Sequence, residues 1–238
     1  MGKLSGNVLK IIAMVSMLID HIGMYFFPQV DILRIIGRLS YPIFAFMIAE
    51  GCKHTKNKLR YFLMIFILAI IVQVVYYIGE RELFMCVLVS FSLSIPMVYT
   101  VGFLKSVIFE EKNARRVALS ILFLVLSVGA TIGVNLVLEV DYGIMGCFLP
   151  VLASLLHAPK EGMEKLKKYD TIWGNVLIFS IGCLALALIK GGIQIFSLLS
   201  IPLLLLYSGK RGKYNIKYLF YLFYPLHLAI LEGISHLV

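Results

Sequence analysis

Residues Leu9 to Gly23 read LKIIAMVSMLIDHIG, an apolar stretch with Lys10 near its start and Asp20 and His21 near its end. Its composition predicts a membrane-spanning helix, in which each charged group costs at least about 2.5 kcal/mol. Such groups mark sites that bind or react. Lys10 and His21 are eleven positions apart, which is three helical turns plus roughly 20°. Both therefore lie on one helix face, roughly 16 Å apart along the axis.

The composition of the chain indicates a membrane protein. Its 238 residues are 61% hydrophobic and 15% charged, and its mean hydropathy is +0.94. Soluble domains average about 45–50% apolar and about 25% charged residues. We therefore predict an all-α, polytopic helical bundle in a single transmembrane domain, residues 1–238. The four cysteines lie in separate apolar segments, without C-x-x-C spacing, so neither a disulfide framework nor a metal site is indicated.

The hydropathy pattern predicts about nine transmembrane helices. They cover residues 8–27, 32–51, 60–78, 83–104, 117–138, 142–157, 171–189, 192–208 and 217–236. The first is not a cleaved signal peptide, because it lacks a small-residue cleavage site and the Asp20-His21 pair interrupts its apolar region.

The distribution of basic residues predicts the orientation. With a cytoplasmic N-terminus, 18 of the 22 Lys and Arg residues fall on the inner side. They include the loop residues Lys53, Lys56, Lys58, Arg60, Lys105, Lys112, Arg115, Arg116, Lys160, Lys165, Lys167, Lys168, Lys210, Arg211 and Lys213. This asymmetry follows the positive-inside rule and predicts a multi-pass protein of the cell membrane, with no nucleic-acid partner. The loops either only set topology and contact anionic lipid, or also form a surface for a polyanion such as coenzyme A.

The second predicted span contains RIIGRLSYPIFAFMIAEGCKHTKN, residues 34–57. Arg34 and Arg38 are four positions apart and enter from the outer side. Arg34 either binds a ligand or only extends its side chain to the membrane interface. Arg38 lies about 6 Å deeper, where the first hairpin brings Asp20 to the same depth. We therefore expect an Asp20–Arg38 ion pair.

The inner end of the same span carries Glu50 and His54, also four positions apart. His54 is either part of a site or an ordinary loop residue. Asn57 follows three positions later. Pro42 predicts a kink between the two polar ends of this span.

Two later motifs add candidates. Asp141 and Tyr142 open the sixth span in DYGIMG, where Asp141 suits a helix N-cap or a ligand contact. The last span contains YLFYPLHLAIL, in which Tyr221, Tyr224 and His227 step by three along one flank. His227 is either a buried neutral histidine bonded to a carbonyl or a member of the site.

Taken together, these motifs resemble the TraX family, named for a conjugal-transfer protein that N-acetylates pilin. The pieces LK-I-x-A…DHIG, R-x-IGR…PIF-x-F…EG…HT-x-N, DYG-x-x-G and FYPLHL occur in order along nearly the whole chain. The family is distantly similar to membrane acyltransferases of the acyltransferase-three type, which carry a basic residue, ten residues and then a histidine in their first span. Lys10 and His21 match that spacing. The resemblance implies that His21 is catalytic, supported by the cations Lys10, Arg34 and Arg38.

We therefore expect an integral membrane acetyltransferase that uses acetyl-CoA as its donor and a histidine as its general base. The acceptor is an amine or hydroxyl of a glycan, lipid or peptide, reached from the outer side or from within the bilayer. The predicted catalytic residues are His21, Asp20 and Arg38. The predicted substrate- and cofactor-binding residues are Lys10, Arg34, Glu50, His54, Asn57, Asp141, Tyr142, Tyr224 and His227. The alternatives are a small transporter or proton relay, and a non-catalytic membrane assembly factor whose buried charges only fix packing.

Overall fold

The described part of the chain is predominantly helical, as the sequence predicts. The computed structural model describes residues 2–81, 84–111, 113–158, 164–214, 216–235 and 237, so the predicted cytosolic cations Lys112 and Lys160 lie outside the described residues. The helices are α1 Gly6–Phe26, α2 Asp31–Gly37, α3 Ser40–His54, α4 Lys58–Glu80, α5 Val87–Ser106, α6 Ala114–Val137, α7 Gly143–Ala153, α8 Glu164–Lys167, α9 Ile172–Lys190, α10 Ser200–Leu205 and α11 Lys217–Ser235. A π-helical turn (Val107–Glu111) follows α5, and a 3₁₀ helix (Gly192–Leu199) precedes α10. Two short parallel strands, β1 Phe84–Met85 and β2 Glu139–Val140, pair with each other.

Seven helical segments among the described residues are long and apolar enough to cross a membrane. They are Gly6–Phe26, Asp31–His54, Lys58–Ile78, Val87–Phe109, Ala114–Val137, Ile172–Lys190 and Tyr218–Ser235. Each agrees with a predicted span to within a few residues. Their outward side chains are apolar, as at Leu126 and Leu136 on α6, which are 58% and 78% exposed. Such side chains suit hydrocarbon rather than water. We call the side on which α1 begins the inner face and the side on which it ends the outer face.

The sixth predicted span, 142–157, is a short helix. With eleven residues α7 rises only about 16 Å, roughly half of a bilayer's hydrocarbon thickness. Even so, its two ends reach opposite faces of the protein. At the outer end, the Asp141 N–H donates to the carbonyl of Met85 at 2.9 Å. At the inner end, after one further turn, His157 lies 3.2 Å from the Glu50 carboxylate.

The eighth predicted span, 192–208, also crosses although α10 itself has only six residues. The extended 3₁₀ helix before α10, with a rise of about 2 Å per residue, supplies most of the length. At the outer end, Arg38 Nη1 lies 3.5 Å from Gln194 Oε1. At the inner end, the Leu4 N–H donates to the carbonyl of Leu206 at 2.9 Å. Within the described residues, seven long segments suited to cross a membrane and two shorter ones therefore run between the two faces.

The second span is broken, but the break lies before Pro42 rather than at it. Helix α2 ends at Gly37, and α3 begins at Ser40, which places Pro42 in the first turn of α3. Proline has no N–H to donate to the carbonyl four residues earlier, here that of Arg38, and its ring crowds that carbonyl. The predicted kink is therefore present, one turn earlier than the sequence interpretation put it.

Helices α1 and α2 pack against each other through glycines. A Cβ atom added at Gly37 would overlap the carboxyl group of Asp20, and one added at Gly23 would lie 2.7 Å from Cβ of Leu33. Small residues let helix backbones approach closely within a membrane. Gly37 thus allows the Asp20 carboxylate to lie against the end of α2.

The nine-crossing path predicts the sidedness of the two short segments. With single cysteines at Lys190 and Lys210 in a cysteine-free background, we expect an impermeant thiol reagent to label Lys190→Cys only from outside and Lys210→Cys only from inside. Lys58→Cys and Arg81→Cys serve as inner and outer references. Labelling of Lys190→Cys and Lys210→Cys from the same side would show that the segment 192–208 does not cross.

The close approach at Gly37 predicts a specific loss of stability. Gly37→Ala should destabilise the protein by about 1–3 kcal/mol, because the added methyl overlaps Asp20. The matched control is Gly102→Ala in α5, where an added Cβ meets nothing within 4 Å. We expect that control to leave the melting temperature in detergent unchanged or to raise it. Equal melting temperatures for both variants would contradict the packing described.

Candidate functional site

An ion-pair cluster occupies the outer half of the bundle, centred on Asp20. Both carboxylate oxygens of Asp20 accept hydrogen bonds from Arg38 Nη2, at 2.8 and 2.7 Å. Arg34 Nη1 lies 3.0 Å from Asp20 Oδ1 and also donates to the Asp20 carbonyl at 3.1 Å. The predicted Asp20–Arg38 pair is therefore confirmed, and Arg34 joins it. Two guanidinium groups hold one carboxylate, and the cluster carries a net positive charge.

The two histidines of the outer half lie side by side. The rings of His21 on α1 and His227 on α11 are 5.1 Å apart and roughly perpendicular. In each ring Nδ1 lies 2.8 Å from a backbone carbonyl one turn earlier, that of Met17 for His21 and that of Phe223 for His227. A carbonyl can only accept a hydrogen bond, so in both neutral rings Nδ1 carries the proton. Nε2 of each ring is then the nitrogen that can take a proton.

His227 is buried more deeply than His21. It is 5% exposed, and its Nε2 has no hydrogen-bond partner among the residues that the structure describes. Its ring stacks on Phe223 at 4.6 Å and meets Tyr224 edge-on at 5.6 Å. The carbonyl-bonded, buried arrangement considered for this residue is therefore present, and the ring also contacts His21.

A cavity of about 250 Å³, which we call the outer cavity, lies beside these groups. It is lined by ionisable, aromatic and apolar side chains, including Asp20, His21, Tyr25, Arg34, Arg38, Tyr41, Tyr76, Cys86, Asp141, Tyr142 and Tyr224. Seven of the predicted site residues thus surround one space. Tyr142 adopts a left-handed backbone conformation, with φ of 61°, and stacks on Tyr41 with ring centroids 3.7 Å apart.

The interpretation of Asp141 as a helix N-cap is wrong. Tyr142 occupies the N-cap position of α7, and no side chain in the described part of the chain caps that helix end. The Asp141 main chain pairs with Met85, its carbonyl accepts a hydrogen bond from Ser90 at 2.8 Å, and its carboxyl group lines the outer cavity. Burial raises the pKa of Asp141 to about 6, although Arg38 opposes that shift. Asp141 is therefore a second carboxyl group in the outer cavity.

A second polar cluster lies near the inner face, around Glu50. The Tyr207 hydroxyl donates to Glu50 Oε2 at 3.1 Å. Nε2 of His54 lies 3.4 Å from Oε2, and Nε2 of His157 lies 3.2 Å from Oε1. Glu50 is 6% exposed, so these three contacts offset the cost of burying its charge. His54, considered as a site member or an ordinary loop residue, thus contacts Glu50 four positions earlier, and Glu50 has two further partners.

A cavity of about 400 Å³, the inner cavity, opens beside this second cluster. Its polar lining comprises Asn7, Lys10, Glu50, His54, Thr55, Tyr61, Tyr207, Arg211 and Tyr221. Nζ of Lys10 lies 5.2 Å from the centroid of the Phe220 ring on α11. Lys10 and His21 therefore both contact α11, as their predicted common face requires. One is at the inner cavity and the other at the outer cavity.

Asn57 takes part in neither cluster. Its side chain caps α4 by accepting from the Arg60 N–H at 2.9 Å. That contact explains an asparagine at this position without a ligand, and the role of Asn57 in binding stays a prediction. The other predicted site residues divide between the outer and inner groups.

The sequence interpretation missed several members of both groups. Gln194 lies beside Arg38, and its buried Nε2 has no hydrogen-bond partner in the described ranges. Tyr41 lines the outer cavity, and His157 and Tyr207 complete the Glu50 cluster. Gln194 could have been recognised from the sequence, because it is a polar residue inside an apolar segment. His157 and Tyr207 come from chain segments far from Glu50, so sequence spacing alone does not connect them.

Comparisons with known proteins agree with the resemblance in the motifs. The sequence model of the family described as "TraX protein" matches residues 5–235. The chain is similar to the probable fimbrial assembly protein FimC, serogroup H1, of Dichelobacter nodosus, with 28% identity over 241 residues that cover 94% of this chain and 92% of that protein. It is also 50% identical over 40 residues to an uncharacterised protein of Rickettsia prowazekii (strain Madrid E), a match that covers 17% of this chain and 16% of the other. No solved structure matches the chain. Because the family match spans nearly the whole sequence, this membrane protein belongs to the TraX family.

Proposed function

We propose that this protein is a membrane acetyltransferase that moves an acetyl group from acetyl-CoA to an amine or hydroxyl acceptor, with His21 as general base. The proposal rests mainly on the hydrogen bonding of the His21 ring, which lines the outer cavity. Its Nδ1 is occupied by the Met17 carbonyl, which leaves Nε2 to take a proton. A neutral imidazole held in one orientation beside a cavity meets the requirements of a general base.

The proposed reaction follows from these groups. Nε2 of His21 takes the proton of the acceptor O–H or N–H while the acceptor attacks the thioester carbonyl carbon. The carbonyl oxygen becomes negatively charged, the carbon–sulfur bond then breaks, and the proton passes from His21 to the departing thiolate. The products are the acetylated acceptor and free coenzyme A.

The arginines suit two different tasks in this reaction. Arg38 is held by Asp20, by the Arg34 carbonyl at 3.3 Å and by Gln194, so it mainly fixes the cluster. The hydrogen bonds described for Arg34 all use Nη1. Its other N–H groups are suited to stabilise the oxyanion, a contribution that mutagenesis commonly finds worth about 3–4 kcal/mol. We therefore assign Arg34 to charge stabilisation and Arg38 to positioning.

The inner cavity suits the donor's phosphates. Lys10 and Arg211 line it, and Lys and Arg bind phosphate through charge-assisted hydrogen bonds. The lysine-rich inner face also indicates that this face of the protein is cytosolic. Acetyl-CoA is available in the cytosol. The donor would then approach the protein from the inner side, and the acceptor would approach it from the outer side.

An assembly role is the second candidate, favoured by the name of the fimbrial assembly relative. In that case the Asp20 and Glu50 clusters would only fix helix packing. A purified protein in detergent with acetyl-CoA distinguishes the two possibilities. Acceptor-dependent release of free thiol supports the transferase, and its absence with any lipid, glycan or peptide fraction of the cell supports the assembly role.

Replacement of His21 should remove activity without removing the fold. His21→Ala is expected to lower the rate of acetyl transfer by about 10²- to 10⁴-fold, as for loss of a general base. Its melting temperature in detergent should stay near that of the wild type, because His21 lines a cavity. His227→Ala is the comparison, since loss of its contacts with Phe223 and Tyr224 should lower the melting temperature. Full turnover by His21→Ala would exclude it as the base.

Donor binding should depend on the inner cations. We expect calorimetry to show coenzyme A binding that weakens with salt, and Lys10→Ala or Arg211→Ala to weaken it by about tenfold or more. Lys10→Ala should raise KM more than it lowers kcat. Lys190→Ala, at the outer end of α9, is the charge-matched control and should bind normally. Absence of binding at low salt would contradict the proposed donor.

A further inference from the structure

A third, apolar cavity, which we call the middle cavity, lies between the inner and outer cavities and adjoins both. Its walls come from α1, α3, α4, α5 and α11, with side chains such as Met17, Phe44, Ile65, Leu68 and Phe223. It shares one set of wall residues with the inner cavity, namely Lys10, Met47, Tyr61, Phe220 and Tyr221. It shares another set with the outer cavity, namely Met17, Phe44, Val87 and Tyr224. The three cavities therefore adjoin in series from the inner face to His21.

The middle cavity is narrow and almost wholly apolar. Its volume is about 100 Å³, against about 400 Å³ and 250 Å³ for its neighbours. Lys10 stands at its inner end, and Met17, one turn before His21, stands at its outer end. A phosphate or nucleotide would lose its hydration there without recompense. An uncharged chain would lose less hydration free energy there than a phosphate.

The length of this route matches one part of the proposed donor. Lys10 and His21 are roughly 16 Å apart along α1. The arm of coenzyme A between its phosphate and its sulfur is uncharged, with about thirteen bonds along its main path and two amide groups, one hydroxyl and two methyl groups. Three bonds of extended chain advance at most about 3.6 Å, so this arm spans roughly 15 Å. A phosphate held at Lys10 would therefore place the thioester beside His21.

We propose that the three cavities form one passage through which the uncharged arm of a coenzyme A thioester crosses the protein, so that acetyl transfer takes place in the outer half of the membrane. The nucleotide stays in the inner cavity with Lys10 and Arg211. The acceptor enters the outer cavity and need not cross. The passage rests on the proposed function for the identity of the donor, but its continuity can be tested without catalysis.

A native cysteine lies at the far end of the proposed passage. Cys86 lines the outer cavity, and it is half-buried. Cys147 and Cys183 are 0% exposed, and Cys52 lines a separate cavity at the inner face, beside Lys53 and Lys105. Labelling of Cys86 therefore indicates a reagent in the outer cavity, whereas labelling of Cys52 indicates a reagent in the separate cavity at the inner face. Burial raises the pKa of Cys86 to about 11, so labelling is best run near pH 9, where more thiolate forms.

The probe is the mixed disulfide of coenzyme A with 2-thiopyridine, added to inverted membrane vesicles so that it meets only the inner face. The Cys86 thiolate attacks the coenzyme A sulfur, a new disulfide forms, and 2-thiopyridine leaves with the pair of electrons. Peptide mass spectrometry then identifies the modified cysteine. We expect the coenzyme A adduct on Cys86 and none on Cys147 or Cys183.

A blocking variant makes the test specific for the passage. Leu68 lines only the middle cavity, so Leu68→Trp should fill it and reduce the Cys86 adduct by about tenfold or more. Leu63→Trp, on the same helix but 40% exposed outside the passage, should label as the wild type does. A small reagent, the 2-thiopyridine disulfide of cysteamine, added on the outer face should modify Cys86 equally in both variants, which verifies their folding.

The outcomes separate the passage from the proposed reaction. A Cys86 adduct that Leu68→Trp abolishes supports the passage even if His21→Ala keeps full activity. An adduct on Cys52 alone, or a Cys86 adduct unaffected by Leu68→Trp, overturns it even if His21 proves to be the general base. Absence of any coenzyme A adduct, with normal labelling by the small reagent, also overturns it.

Discussion

The bond on which this structure depends is the one between Asp20 and its two arginines. The Asp20 carboxylate on α1 binds the guanidinium groups of Arg34, which lies in α2, and of Arg38, which directly follows α2. All three groups lie in the outer half of the bundle. Removal of either partner from such a buried pair leaves an uncompensated charge, which commonly costs about 3–5 kcal/mol. The pair therefore fixes the first hairpin and, with it, the position of His21, the next residue along α1. The break between α2 and α3 places Arg38 at the depth of Asp20.

The polar groups are concentrated at two levels, and the level between them is apolar. The outer level holds Asp20, Arg34, Arg38, His21 and Asp141, and the inner level holds Glu50 and its partners. The apolar section between them is lined by side chains such as Met17 and Phe44. Hydrophobic constrictions also occur in gated channels, so this section alone does not separate a transferase from a transporter.

Much of the candidate site could be predicted from local sequence. The shared face of Lys10 and His21, the Asp20–Arg38 pair and the Glu50–His54 pair all follow from helical periodicity and from the depth of each residue in its span. The N-cap prediction for Asp141 failed, because the backbone turns through a left-handed Tyr142 and starts α7 one residue later. The interruption of the second span was predicted, and it lies before Pro42 because proline disturbs the turn that precedes it.

The sequence by itself determined that the chain is a helical, multi-pass membrane protein, because apolar length and the distribution of Lys and Arg can be evaluated separately for each segment. It also determined which charged residues lie within membrane spans, since a charged residue inside an apolar segment can be recognised from the sequence without knowledge of the fold. Only the tertiary structure decided which of them meet. His227 joins His21, His157 and Tyr207 join Glu50, and three cavities adjoin in series. The residues in these contacts are more than a hundred positions apart in the chain. Which residues meet depends on how the helices pack, and spacing within one segment does not contain that information.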